Sequence, residues 1–167
     1  MLRFFLFFLA IQIVLFVVSV TSIAQNLVIV PFTELIAAIS AWLIMLFDVD
    51  VVSEGVVIRD YGHGFAVAIQ AGCNGVEAVI VLVAAILAFP SPWKYKLGGI
   101  FLGSIAVQAL NLIRIITLFY LGQWNMKVFE WAHLYIWQAL IMLDVLIFFL
   151  VWLRYLPKDK SKFAFNE

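Results

Sequence analysis

Ala71-Gly72-Cys73-Asn74-Gly75-Val76-Glu77 is the point at which this chain changes character. Short β-branched and alternating runs precede it: Val51-Val52, Gly55-Val56-Val57-Ile58-Arg59 and Phe65-Ala66-Val67-Ala68-Ile69. Between the last two, Asp60-Tyr61-Gly62-His63-Gly64 carries turn chemistry, so residues 48–70 read as a small β-hairpin whose second strand leads into Cys73. An unbroken apolar stretch follows and stops before Pro90-Ser91-Pro92, which predicts a helix from Gly72 to Phe89. The two glycines flanking Cys73 allow a tight turn and close approach of another segment. A thiol at a helix N-terminus would have its thiolate favoured by the unpaired N–H groups and the macrodipole. Glu77, four residues on, would share its helical face.

Working outward, the rest of the chain is membrane-like. Apolar residues make up 66% and charged residues 12% of the 167, about half the charge of a soluble domain. The formal net charge is zero, but the signs are segregated. Arg3, Lys94, Lys96, Arg154, Lys158, Lys160 and Lys162 fall at the start, in one short loop and in the tail; Glu34, Asp48, Asp50, Glu54, Asp60, Glu77 and Glu130 fall in the other inter-helix segments or at their edges. Basic loops stay cytoplasmic, which places the Lys94 loop and the tail inside and residues 48–75 outside.

The expected spans are Leu2 to about Thr21, Gly72–Phe89, Leu97 to about Leu121, and His133–Leu153, the last two joined by a short outer loop over Gly122–Trp131. Pro31–Phe47 is read as a re-entrant or interfacial helix beginning at Pro31, with a second full crossing as the alternative. The fold class is an all-α polytopic bundle of four to five transmembrane or re-entrant helices carrying an extracytoplasmic hairpin. It forms a single integral-membrane domain: helix and link over 1–30, a core over 31–155, and a cytoplasmic tail over 156–167.

Ionisable groups inside a bilayer are costly and call for a role. Gln108, Asn111 and Arg114 recur every three residues, a polar stripe that must face the bundle interior. At ~1.5 Å per residue, Arg114 lies near the outer leaflet. Cys73, Arg114 and His133 therefore share one depth on three successive spans. A thiol, a guanidinium and an imidazole together suit acyl transfer: a nucleophile, a stabiliser of thiolate or oxyanion, and an acid/base. Glu77 either orients Arg114 or is simply a helix-start carboxylate. Asp144, about 16 Å deeper on the His133 helix, would bond Ser104 or Gln108 or be held protonated. His63 is assigned no chemistry.

Ala71-Gly72-Cys73-Asn74-Gly75, then Asn111-Leu-Ile-Arg114-Ile115, then His133 resembles the three-block pattern of the exosortase/archaeosortase family, over roughly residues 30–155. Gly72-Cys73-Asn74-Gly75-Val76-Glu77 and Phe129-Glu-Trp-Ala-His133 are most similar to the exosortase H branch. Where many relatives carry serine, Asn74 stands here. The resemblance implies a membrane cysteine protease or transpeptidase of the cell inner membrane with its active site facing outward. Its partners would be exported proteins ending in a motif, a transmembrane helix and a basic tail, together with membrane lipid and an unidentified acceptor nucleophile. Cys73 would be the nucleophile, Arg114 the stabiliser and His133 the acid/base, with Asn74, Glu77 and Asn111 in support; the roles of Arg114 and His133 remain interchangeable.

No cofactor is expected. A metal site from Cys73, His133 and Glu77 lacks zinc-like spacing. Nothing outside the short tail offers a basic face to nucleic acid. The competing class is a non-enzymatic assembly factor or a transporter-like bundle, in which the polar stripe would serve packing or permeation.

Overall fold

The computed structural model describes residues 2–157, so the tail from 158 onward lies outside the described residues. Five helices and a three-stranded sheet follow in the order α1 (Leu2–Ser19), α2 (Ser22–Met45), β1 (Val51–Glu54), β2 (Val57–Asp60), β3 (Phe65–Ala68), α3 (Val76–Ala88), α4 (Trp93–Trp124) and α5 (Met126–Arg154). α1, α2, α4 and α5 are each long and apolar enough to cross a membrane, and α3 is a shorter apolar helix. The result is a polytopic helical membrane protein with one small antiparallel sheet.

Several boundaries differ from the sequence reading, among them the start of α3 at Val76 rather than Gly72 and of α4 at Trp93 rather than Leu97. α2 begins at Ser22, not Pro31, so the expected link before residue 31 is helical; Thr21 caps it by accepting from the Ala24 N–H. Proline inside a helix normally breaks it. Here a π turn over Gln25–Ile29 precedes Pro31 and loosens the ladder where its missing N–H would be felt. The outer loop over 122–131 is also absent. α4 continues to Trp124, and the single residue Asn125 turns the chain, its side chain accepting from the N–H groups of Lys127 and Val128 to start α5. Finally, residues 51–68 form a three-stranded meander in the order β1-β2-β3 rather than one hairpin, because Val51–Glu54 pairs along its whole length with Val57–Asp60. Val57–Asp60 pairs in turn with Phe65–Ala68.

Two apolar clusters divide the molecule. At the sheet end, Ile36, Ala37, Ala41 and Ile44 of α2 pack with Val51, Ile58 and Ile69 of the sheet region and with Ile115 and Phe119 of α4. Half-buried Phe65 of β3 sits so close to Gly122 that a Cβ there would collide with its ring. Towards the opposite end, Leu82, Ile86, Val107, Val145 and Trp152 form the second cluster. Gly99 and Gly103 give α4 the flat face this needs, since a Cβ at either would run into Trp152, or into Leu82 and Phe148. At this end the Lys96 ammonium donates to Leu87 O (2.7 Å), the Trp152 indole donates to Tyr95 O (2.9 Å), and Phe4 meets Phe89 edge-on. The start of α1 and the Lys94–Lys96 segment therefore share one end, opposite the sheet. α2 makes its contacts with the sheet and the sheet-side half of α4.

Candidate active site

Cys73 lies in the turn joining β3 to α3, three residues ahead of the first helical residue, Val76. The turn is closed by its own N–H donating to Gln70 O (2.9 Å) and by positive φ at Gly72 (84°) and Gly75 (78°), which only glycine adopts readily. Asn74 holds the turn down. Its side-chain oxygen accepts from Val76 N–H (3.1 Å) and its NH₂ donates to Thr33 Oγ1 of α2 (3.0 Å), both Asn74 and Thr33 being buried. This bond needs a side chain with both an acceptor and a donor. Glu77 closes the other side, accepting from Gly72 N–H (2.8 Å). It does not bond Arg114; of the two readings of Glu77, the one as orienter of the guanidinium is set aside.

Gly75 is also where the polar stripe of α4 docks. A Cβ there would lie 2.8 Å from Gln108 Nε2 and 3.1 Å from Asn111 Nδ2, so glycine allows α4 to press its amides against the turn. Asn111 is fully buried, and among the described residues its side chain makes one long bond, donated to Gln108 Oε1 at 3.5 Å. One helical turn further on, Arg114 is 2% exposed. Its guanidinium points at the Cys73 turn, donating to Gly72 O (3.4 Å) and lying 3.9 Å from Cys73 Sγ. Among the described residues no carboxylate pairs with it: the ion pairs are Arg59–Glu54 and His63–Asp60, both in the sheet region. A buried, unpaired cation is costly, and the nearest group able to become an anion is the Cys73 sulfur.

His133 approaches the same sulfur from the other side, with Nε2 3.8 Å from Sγ. It does not open a helix, as the sequence reading had it, but sits in a π turn over Ala132–Ile136 inside the continuous α5. Such a turn inserts one residue into the helical register and so re-aims the side chains that follow. Nothing in the pattern of residues 126–137 signals it. The ring is stacked on Phe129, one turn earlier, with centroids 5.6 Å apart and planes 2° from parallel. Phe129 is thus a positioning residue, quoted within a motif but given no role by sequence reasoning. Among the described residues Nδ1 of His133 is buried without a partner, so there packing rather than a carboxylate orients the ring.

The thiol environment differs from the one expected. Cys73 is not at the first turn of α3, and burial pushes its thiol above the usual range; Arg114 pulls it down, and Glu77 adds to the rise. Burial thus favours the neutral thiol over the thiolate, and Arg114 opposes it. Beside it, a cavity of ≈ 120 Å³ is lined by Val67–Gln70, Ile115, Leu118, Phe129, Cys73 and His133.

The remaining polar groups stand elsewhere. Asp144 is half-buried on α5 and bonds neither Ser104 nor Gln108. Asp48, Asp60 and His63 offer ligand atoms within 4.8 Å of one another. Buried Asp60, however, already accepts from the N–H groups of Gly62 and His63, from His63 Nδ1 (2.8 Å) and from Gln123 Nε2 (2.8 Å), which latches the sheet to the end of α4.

The three separated blocks thus meet around one sulfur, and comparison with known families places the chain. The Transmembrane exosortase (Exosortase_EpsH) family model matches residues 1–153. The chain belongs to the transmembrane exosortase family. The match takes in α1, whereas the sequence resemblance covered only residues from about 30. No match was found among curated proteins or among solved structures. Membership carries the general reading of a multi-pass membrane protein of the exosortase type, a class of sorting enzyme acting on exported proteins that bear sorting signals.

Proposed function

We propose that this exosortase is a cysteine peptidase or transpeptidase that cleaves C-terminal sorting signals of exported proteins through a thioacyl intermediate on Cys73. The observation that carries the proposal is a sulfur lying between a buried guanidinium, with no carboxylate partner among the described residues, and an imidazole, at 3.9 and 3.8 Å. In the first step His133 Nε2 accepts the thiol proton as Sγ bonds to the scissile carbonyl carbon. The carbonyl oxygen takes up the negative charge, which Arg114 is placed to stabilise. A guanidinium keeps its proton at any physiological pH, and this assigns the base role to His133 and the electrostatic role to Arg114. Collapse breaks the C–N bond, and the leaving amine takes the proton from the imidazolium. The thioester is then opened by an acceptor nucleophile, whose proton returns through His133.

Orientation follows from charge. Arg3, Lys94, Lys96 and Arg154 cluster towards the end opposite the sheet, and basic ends stay cytoplasmic. The site then faces outward from the inner membrane, near the depth at which an exported protein's terminal helix would leave the bilayer. The test is replacement of Cys73 by Ala, with processing of an exported protein ending in motif, apolar span and basic tail followed by gel mobility. Processing is expected to stop; processing at the wild-type rate would eliminate thiol catalysis.

A further inference from the structure

β3 is an edge strand, and its outer side leads directly into the Cys73 turn. Ile69 N–H donates to Val56 O (2.9 Å), and in an antiparallel pair hydrogen-bonded residues alternate. Phe65, Val67 and Ile69 therefore spend their backbone groups on β2, while those of Ala66 and Ala68, and the N–H of Gln70, point away from the sheet. None of these outward groups has a backbone partner among the described residues, and Ala66, Ala68 and Gln70 are exposed. Edge strands are ordinarily protected by charge, proline or a bulge. This one presents two alanines with none of these devices. Alongside it, the cavity bounded by Val67, Ile115, Leu118 and Phe129 ends at Cys73 and His133.

Resting on the thiol-peptidase reading, we infer that the substrate's recognition segment binds as a fourth strand on the free edge of β3, the rail that delivers its scissile carbonyl to Cys73. Main-chain hydrogen bonds to Ala66, Ala68 and Gln70 hold the segment whatever its side chains. Because side chains alternate along a strand, every second one faces the apolar cavity and is selected there. β3 runs from the Gly122 end of α4 towards Cys73. A substrate whose exported part lies outside and whose helix enters the membrane runs the same way, so the added strand is parallel to β3. The occupant is an extended peptide rather than a folded surface, since only a bare backbone can satisfy these groups.

The test uses the full-length protein in detergent and reads the rate of Cys73 alkylation by mass spectrometry. The probe is an acetylated tetrapeptide of alternating valine and alanine ending in a chloromethyl ketone, compared with acetyl-alanine chloromethyl ketone. In both, the sulfur displaces chloride and forms one S–C bond. The tetrapeptide is expected to react at least about tenfold faster, the worth of one or two backbone hydrogen bonds. N-methylation of every second amide removes the gain, and N-methylation of the intervening amides leaves it. Ala68→Pro deletes an outward N–H that the β2 ladder does not use. It is expected to abolish the gain, read as the ratio of the two reagents' rates within the same variant. Equal rates for the two reagents, N-methyl effects without alternation, or a gain retained in Ala68→Pro would overturn the inference while leaving the nucleophile intact. A smaller particle for Ala68→Pro by size exclusion, with the gain retained, would assign the edge to a second copy of this chain and likewise overturn it. Failure of both reagents to modify Cys73 would instead remove the thiol reading beneath it.

Discussion

Towards the basic end of the bundle, Gly99 and Gly103 bring α4 against Trp152, Leu82 and Phe148; at the sheet end, Gly75 brings its turn against Gln108 and Asn111. The same device serves opposite ends. Among the apolar partners, the polar atoms Lys96 Nζ and Trp152 Nε1 are satisfied by main-chain carbonyls. Among the polar partners, satisfaction is incomplete. Of six buried side-chain polar atoms without a partner among the described residues, four lie at the Cys73 site: Glu77 Oε2, Asn111 Oδ1, Arg114 Nε and His133 Nδ1. Unpaired buried groups cost stability and are rare in native proteins, and most of those among the described residues gather around the Cys73 turn. The apolar packing of the basic end thus contrasts with the incompletely satisfied polar packing around Cys73.

Substitutions break that contrast most sharply at the site. His133→Gln keeps a polar side chain but removes the base, and processing is expected to fall by roughly 10²–10⁴-fold with detergent stability unchanged. Arg114→Gln is expected to lower processing by about 10²–10³-fold. It carries a second signature: with the positive charge gone the thiol titrates higher still, so the pH profile of Cys73 alkylation by a small reagent moves to higher pH. A profile that stays in place would show that the guanidinium does not act on the sulfur. Phe129→Ala, which unstacks the imidazole, is expected to cost about tenfold in kcat, with Phe129→Tyr restoring it. At the other end, Gly103→Val is expected to lower stability by roughly 1–3 kcal/mol through overpacking. The folded fraction should still alkylate at the normal rate. Loss of site reactivity in that folded fraction would mean the two ends are not independent.

The smallest effect belongs to the latch between sheet and α4. Burial raises the Asp60 carboxyl, but the bonds from His63 and Gly62 more than offset it, so the net shift is downward. His63 is raised, chiefly by its bond to Asp60 and by that carboxylate's charge, with Asp48 and Asp50 adding to it. The Asp60 contribution is fully present above the ordinary carboxylate value and lost as pH falls through its depressed one. The His63 contribution is fully present below the ordinary imidazole value and lost as pH rises through its raised one. Sheet stability should therefore peak between about pH 4 and 6.5. His63→Asn should flatten the upper flank in a thermal scan.

Much of this was legible beforehand. Hydropathy, charge segregation and the Pro90-Ser91-Pro92 stop located four of the five helices, because each is a local signal of composition. Depth arithmetic along α4 and α5 brought Cys73, Arg114 and His133 to one level. What the pattern did not carry were features set by tertiary partners. The π turns at Gln25–Ile29 and Ala132–Ile136 change register without changing composition. Thr21 caps a helix that Pro31 seemed to start. The β-branched Val51-Val52 run is too short to mark a third strand over Val51–Glu54 until β2 is there to pair with it. Asn74 shows its role only once Thr33 is placed beside it, and Glu77 turns to the Gly72 N–H because Cys73 never joins the helix.

The most direct test is to look for the acyl group on the sulfur. Wild-type protein is mixed with an exported protein ending in motif, apolar span and basic tail, quenched in acid, and digested, and the peptide bearing Cys73 is weighed. A substrate fragment attached there, removed by neutral hydroxylamine and missing from Cys73→Ala, is the expected result. Cleavage that proceeds with Cys73 unmodified, or that persists in Cys73→Ala, would contradict it.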